Sequence, residues 1–372
     1  MKIRKDYPGG NIQINRIEEN CVYLEQELRD TNRWWFYWNF CACGMGGKRV
    51  RFCFENGEVV GRYGPCKSTD RVQWEWAGAD TVIDSTCFEY TFGENEQEVY
   101  FAFSIPYQAE DLSYFLNTYR AMGITETEFV KTEKGRSLRL LKIGNSESKY
   151  HIYFTCRHHA CESTASYVLE GVMTYLLTKG HNITEKYLFH IIPMVDLDGV
   201  EEGDQGKGRY PHDHNCDYCE EPIYAYTKAM YEYTEKFPPY LVLDYHSPGK
   251  WGKMHDIVHL VNMPAPEDVL EDHLGELWEM TIDEDRTGDS ISYHVSNNLK
   301  YGADWHTDGR EAPYSVNYFW RKGARLSVSL EIPYFGKSEV YTQSNLRLLG
   351  MHLGKAVGLI LDELVSEEGG NG

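Results

Sequence analysis

The stretch Tyr150 to Gly180, YHIYFTCRHHACESTASYVLEGVMTYLLTKG, constrains the fold more than any other part of the chain. A β-prone run, His151 to Thr155, turns through Arg157 to Glu162. It then enters a segment where Ala165, Val168, Leu169, Val172, Met173, Leu176 and Leu177 recur at helical spacing. Ser163 and Thr164 are candidate caps and Gly180 is the stop. A strand therefore feeds a helix, with His159 and Glu162 at the junction. Three residues apart at a helix start, these two side chains project to the same side. Imidazole nitrogen and carboxylate oxygen both ligate zinc, and a catalytic zinc takes three protein ligands and leaves one position to water. The pair thus asks for a third ligand elsewhere; alone, it also describes an ordinary helix start with an acidic residue favouring the dipole.

Around this stretch the pattern divides in two. From Asn11 to about Tyr107, short β-like runs are separated by turn residues: Asn11 to Ile17, Cys21 to Leu28, Arg33 to Cys43, Val50 to Phe54, Val59 to Tyr63, Val72 to Trp76 and Gln97 to Ile105. No helical stripe interrupts them, which predicts an all-β sandwich for residues 1–108. Its densest patch, Trp34-Trp35-Phe36-Tyr37-Trp38, is expected to send one set of rings into the sandwich and the other toward the neighbouring domain or a ligand. For residues 109–372, helices at Gln108 to Met122, Ile223 to Phe237 and Asn345 to Val365 alternate with strands at Arg136 to Ile143, Tyr187 to Val195, Tyr240 to Tyr245 and Arg325 to Ile332. Asp198-Gly199 reads as a turn. The alternation predicts an α/β domain, a mixed sheet with helices on both faces.

Composition narrows the function. With 42% hydrophobic and 25% charged residues, the 372-residue chain is that of a globular protein. It has no apolar run of membrane-spanning length and no apolar core in its first residues, so the expected location is the cytoplasm. A formal net charge of −20 argues against a nucleic-acid partner. The ten cysteines are scattered and expected to be reduced thiols; Cys41-x-Cys43 and Cys216-x-x-Cys219 are the close pairs, and neither has a second pair to complete a four-ligand zinc site.

In open α/β sheets chemistry gathers beyond the carboxyl ends of the strands. His159 and Glu162, the Gly199 to Asn215 loop, His246 and Glu331 all follow predicted strands and land on one rim. Here the residues resemble the zinc metallocarboxypeptidase family: His159 and Glu162 from a His-x-x-Glu, His246 followed by Ser247, and Glu331 in SVSLEIPY. Arg157, His158 and the Pro193-Met194…Asp198-Gly199 segment, with the β region before them, look like the cytosolic carboxypeptidase branch. The resemblance implies one zinc held by His159, Glu162 and His246, with Glu331 as the catalytic carboxylate. It also implies Arg209 as the cation on the oxyanion, and a peptide as substrate, with a small amide as the alternative that the departure at Cys216 favours. Asn215 stands where the family has an Asn-Arg pair gripping a terminal carboxylate, but its neighbour is Cys216, and a thiol cannot replace a guanidinium fork. Either Lys207, Arg310, Arg321 or Lys322 supplies the charge, or the substrate is not a free carboxy terminus. The tyrosine that closes over substrate in the family has four candidates here, Tyr293, Tyr301, Tyr314 and Tyr318, of which Tyr314 is preferred. Asp244, two residues before His246 on one strand face, is positioned to orient a ligand.

Overall fold

The computed structural model describes residues 2–29, 31, 36–264, 266, 268–337 and 339–370. The amino-terminal region forms ten strands: β1 (Lys2–Arg4), β2 (Gln13–Glu18), β3 (Cys21–Glu25), β4 (Asn39–Cys43), β5 (Arg49–Phe54), β6 (Cys66–Ser68), β7 (Glu75–Trp76), β8 (Val82–Asp84), β9 (Cys87–Thr91) and β10 (Glu98–Ala102). They make two five-stranded sheets, β1-β4-β10-β6-β7 and β2-β3-β5-β9-β8. Alternation drives their packing: in β5, Val50, Phe52 and Phe54 are buried while Arg49 and Arg51 face out. Trp38 sits among Phe40, Phe54 and Phe88, its indole N–H donating to the Val59 carbonyl at 2.8 Å.

Several sequence expectations are corrected here. Val59 to Tyr63 is not a strand, while β1, β6, β8 and β9 were not foreseen. Arg33 to Trp35 lie outside the described residues, and regular pairing begins only at Asn39. Cys53 and Cys87, directly paired across β5 and β9, form a disulfide, against the expectation of thiols throughout.

The second region holds β11 (Thr125–Lys131), β12 (Ser137–Gly144), β13 (His151–Cys156), β14 (Leu188–Ile192), β15 (Pro239–His246), β16 (His259–Val261) and β17 (Leu326–Glu331), ordered β11-β12-β14-β13-β15-β17-β16. The central strands β14, β13, β15 and β17 are parallel and the outer pairings antiparallel. Helices cover both faces, as strands buried on both sides require. Ile152 and Phe154 share one core with α1 (Ala109–Tyr119), α2 (Ser163–Thr178), α6 (Asp268–Glu284) and α8 (Gln343–Gly370). Tyr153 on the opposite face packs with α5 (Ala225–Lys236) and α7 (Ser315–Arg321). Two short helices, α3 (His181–Thr184) and α4 (Leu197–Glu202), lie between. Asp198 and Gly199 therefore belong to α4, capped by the Asp196 carboxylate, and not to a turn. Ser163 and Thr164 do not cap α2; their hydroxyls bond the Ile105 carbonyl and Ser247 instead.

α2 and α8 cross with their backbones in contact. A Cβ at Gly350 would stand 2.0 Å from the Val168 carbonyl oxygen, and one at Gly171 equally close to that of Arg347. The two regions meet through aromatic rings: Phe335, four residues past Glu331, packs on Trp76 and Phe103, and Tyr334 on Phe36. No described helix is long and apolar enough to cross a membrane.

Candidate metal centre and active-site cavity

Parallel pairing of β13, β15 and β17 brings their carboxyl ends side by side, with His246 directly opposite Glu331. The turn after β13 adds His159 and the α2 N-terminus adds Glu162. His159 Nδ1 and His246 Nδ1 each lie 2.9 Å from a different oxygen of the fully buried Glu162 carboxylate. The three ligand atoms fall within 4.8 Å of one another. Two imidazoles and a carboxylate, bracketing one point and open to a cavity, suit a zinc ion with a vacant coordination position.

The supporting contacts fix how these ligands present themselves. His246 Nε2 is 2.9 Å from Asp244 Oδ2, which leaves Nδ1 to face a metal. Asp244 also receives Thr155 Oγ1 at 2.7 Å and the Ser315 hydroxyl, and lies 2.9 Å from His158 Nδ1. His158 is completed by Tyr218 on its other nitrogen, so it is a strut within the core. On the other side, His159 Nε2 lies 3.5 Å from Asp213. Burial opposes the charge of Glu162, yet Lys207, His159 and His246 outweigh it and hold its pKa well below the ordinary value. Among the described residues two further groupings have metal-binding residue types, His158–Asp244–His246 and His212–Asp217–Cys219. Neither opens to the cavity apart from the shared His246.

The cavity measures about 440 Å³ and is lined by His159, Glu162 and His246 together with Lys207, Asn215, Cys216, Tyr314 and Glu331, among others. Glu331 is 8% exposed, and its Oε2 has no hydrogen-bond partner. Burial pushes its carboxyl up to about 7 against the pull of His246 and Lys207. A buried carboxyl oxygen without a partner is uncommon in a folded protein.

The structure separates the other sequence candidates. Of the four tyrosines, Tyr314 lines the cavity, its hydroxyl donating to Asp308 at 2.5 Å. Tyr293 stacks on Trp278, and Tyr318 is buried against Thr234. Asn215 lines the cavity and its Oδ1 accepts from the Ser315 N–H at 3.4 Å. Arg209 is not on the wall: its guanidinium pairs with Asp196 at 2.6 Å and Asp204 at 2.9 Å. Lys207 is there instead, its ammonium 2.7 Å from Glu162 Oε1 and donating to the Ser247 and Pro248 carbonyls. Arg310, Arg321 and Lys322 are also away from the wall, engaged with Glu271, the Arg310 carbonyl and Glu235 respectively. Sequence reading missed Asp213 and the wall residues Phe36, His255 and Trp305; their loops carry no periodicity, and only the aromatic patch at Phe36 gave a signal.

Comparison with known proteins agrees with this geometry. A zinc carboxypeptidase family profile matches residues 119–222. Cytosolic carboxypeptidase 1 of Xenopus laevis is 25% identical over 264 residues, 63% of this chain and 20% of that protein. Cytosolic carboxypeptidase 6 of Caenorhabditis elegans is 29% identical over 163 residues, 39% of this chain and 35% of that protein. Over residues 119–222 the chain is similar to the zinc carboxypeptidases. It spans between a fifth and about a third of the length of these curated relatives. The carboxypeptidase fold extends over nearly the whole chain: the metallo-carboxypeptidase of Burkholderia cenocepacia superposes with a TM-score of 0.80 at 18% identity, covering 98% of this chain and 99% of that one. That of Pseudomonas aeruginosa, in complex with (2-guanidinoethylmercapto)succinic acid, gives 0.79 at 18% identity, covering 98% and 100%.

Proposed function

We propose that this chain is a zinc-dependent hydrolase that cleaves an amide bond at or near the carboxy terminus of a peptide, as a zinc metallocarboxypeptidase. The observation that carries this reading is the convergence of His159, Glu162 and His246 on a cavity that also holds the unpartnered oxygen of Glu331. One zinc per chain would lower the pKa of a bound water toward about 7 and polarise the scissile carbonyl. Glu331 accepts the attacking water's proton at Oε2 and returns it to the leaving nitrogen as the C–N bond breaks, giving a carboxylic acid and an amine. Lys207, already on the wall, is placed to face developing negative charge, a duty the resemblance gave to Arg209; Arg209 instead braces the loop through Asp196 and Asp204. Asn215 and Tyr314 contact the substrate. In this reading residues 1–108 are a sandwich domain that completes one wall through Phe36, residues 109–372 are the catalytic domain, and the protein works in the cytoplasm, as its cytosolic relatives' names suggest.

Cys216 supports a second reading, an amidase or deacylase of a small acylated amine, because no guanidinium reaches the wall among the described residues. The test is release of free amine from acylated peptides by the zinc-loaded protein, alongside Glu331→Gln. Turnover in the parent and its loss in Glu331→Gln are expected; equal turnover in both would refute the role of Glu331, and none in either would refute the hydrolase reading.

A further inference from the structure

The loop between α4 and α5 holds another group of metal-ligating side chains, none of which lines the cavity. His212, Asp217 and Cys219 bring an imidazole nitrogen, a carboxylate oxygen and a thiol sulfur within 4.8 Å of one another. Bonds to zinc of about 2.0–2.3 Å place tetrahedral ligand atoms roughly 3.3–3.8 Å apart, so small side-chain rotations close this set on one ion. From the sequence, Cys216-x-x-Cys219 lacked a second cysteine pair. The fold separates the two thiols: Cys216 lines the cavity, while Cys219 meets a histidine and an aspartate.

All three residues are anchored on α5 or on the residues that lead into it. The Asp217 carboxylate is fully buried; one oxygen accepts the Ile223 N–H at 2.8 Å and lies 2.6 Å from His212 Nε2, and the other accepts the Tyr224 N–H at 3.1 Å. The Tyr224 hydroxyl donates to the His212 carbonyl and the Tyr231 hydroxyl to that of Cys219, both at 2.9 Å. Ligands fixed in this way lose little freedom when an ion arrives. His212 and the free Cys219 are partly exposed, which gives the ion a way in. Mixed nitrogen, oxygen and sulfur donors suit zinc, whereas calcium and magnesium take oxygen alone. We infer that His212, Asp217 and Cys219 form a second zinc site, with water completing the tetrahedron. Binding releases the Cys219 thiol proton to solvent, and His212 keeps its N–H on Nδ1. His212 and Cys219 bracket Asp213, Asn215 and Cys216 in the chain, so the ion clasps a segment that serves the cavity: Asp213 lies 3.5 Å from His159, and Asn215 and Cys216 are on the wall. The count becomes two zinc ions per chain, one more than hydrolysis needs.

Cobalt(II) in place of zinc tells the two sites apart, because His159, Glu162 and His246 carry no sulfur and a thiolate-to-cobalt charge-transfer band reads a cysteine ligand. The full chain, stripped by a chelator and titrated with cobalt, is expected to bind two equivalents, one of them with the band. Cys219→Ser should abolish the band and lower the count to one, and Cys216→Ser should keep both. His212→Asn should weaken the band-forming site at least about tenfold and leave the other equivalent as it was. A parent without the band, or a band that survives Cys219→Ser, overturns the site. A measurement without substitutions stands beside these: zinc should slow alkylation of Cys219 in the stripped parent at least about tenfold, mapped by peptide mass spectrometry. Equal rates with and without zinc would overturn the site as well.

Discussion

At the scale of single residues, the candidate site depends on one buried carboxylate that touches no substrate. Asp244 receives Thr155 and Ser315 and meets His158 and His246, so it sets the orientation of His246 from behind. Asp244→Asn should weaken zinc binding about 10- to 100-fold, measured by competition with a chromogenic chelator. An affinity unchanged within twofold would show that His246 needs no such support. Glu331→Gln should behave oppositely, with zinc affinity nearly kept and turnover reduced by about 10²- to 10⁴-fold. Much of this was legible in the sequence. His159, Glu162, His246 and Glu331 stand at the ends of strands whose apolar runs are unmistakable, and the strand-end rule collects them. Lys207 could be named but not placed, and Asp213 was not seen, because both lie in a loop whose path is set by capping bonds such as those from Asn215 and Cys216 N–H to the Asp213 carboxylate. Arg209 is held by two acidic partners, Asp196 and Asp204, that only the folded loop brings to the guanidinium.

At the scale of elements, the helix that carries Glu162 is positioned by a crossing with no room for side chains. Gly350→Val should destabilise the fold by roughly 1–3 kcal/mol, seen as a lower urea midpoint, because the new carbons meet the α2 backbone. The core of the sheet makes a second, pH-dependent prediction. His190 in β14 is fully buried between His151 and Tyr233, and burial, aided by His151 and Lys142, pushes its pKa from 6.5 down to about 2. Between those values the unfolded chain binds a proton that the folded chain does not. Stability should therefore fall as pH drops below about 6.5, by about 1.4 kcal/mol per pH unit for this one group. Denaturation curves collected from neutrality down toward about pH 4.5 should show a slope one proton shallower in His190→Phe than in the parent. Identical slopes would contradict the neutral assignment. The buried strands and the long α2 and α8 were readable from apolar runs and stripes. α6 was missed although Leu274, Leu277, Trp278 and Ile282 make a stripe, since acidic residues dominate its composition. The short β16 and α7 have too few residues for any period to show.

At the scale of the whole molecule, the two regions share one aromatic core. Phe335 lies against Trp76, Phe103 and Trp251, and a Cβ on Gly61 would come within 2.4 Å of its ring. Phe335→Ala should cost about 3–5 kcal/mol, and in the parent protein the sandwich tryptophans and the zinc site should report one coincident unfolding transition. Separate transitions would mean that the interface is weaker than its packing suggests. The sandwich could be foreseen as a class from its short strands, but not its docking, which depends on pairs more than two hundred residues apart such as the Trp76 indole on the Tyr341 carbonyl. A smaller junction also ties the halves. Gln205 accepts the Phe36 N–H on its side-chain oxygen at 2.7 Å and the Cys161 N–H on its backbone oxygen at 3.0 Å, linking the sandwich to the turn between His159 and Glu162. The halves are therefore not interchangeable parts: in a lineage or a chimera, a replacement sandwich that failed to offer an N–H at this point would loosen the turn that carries two candidate metal ligands, so the pair is expected to be inherited, and altered, together.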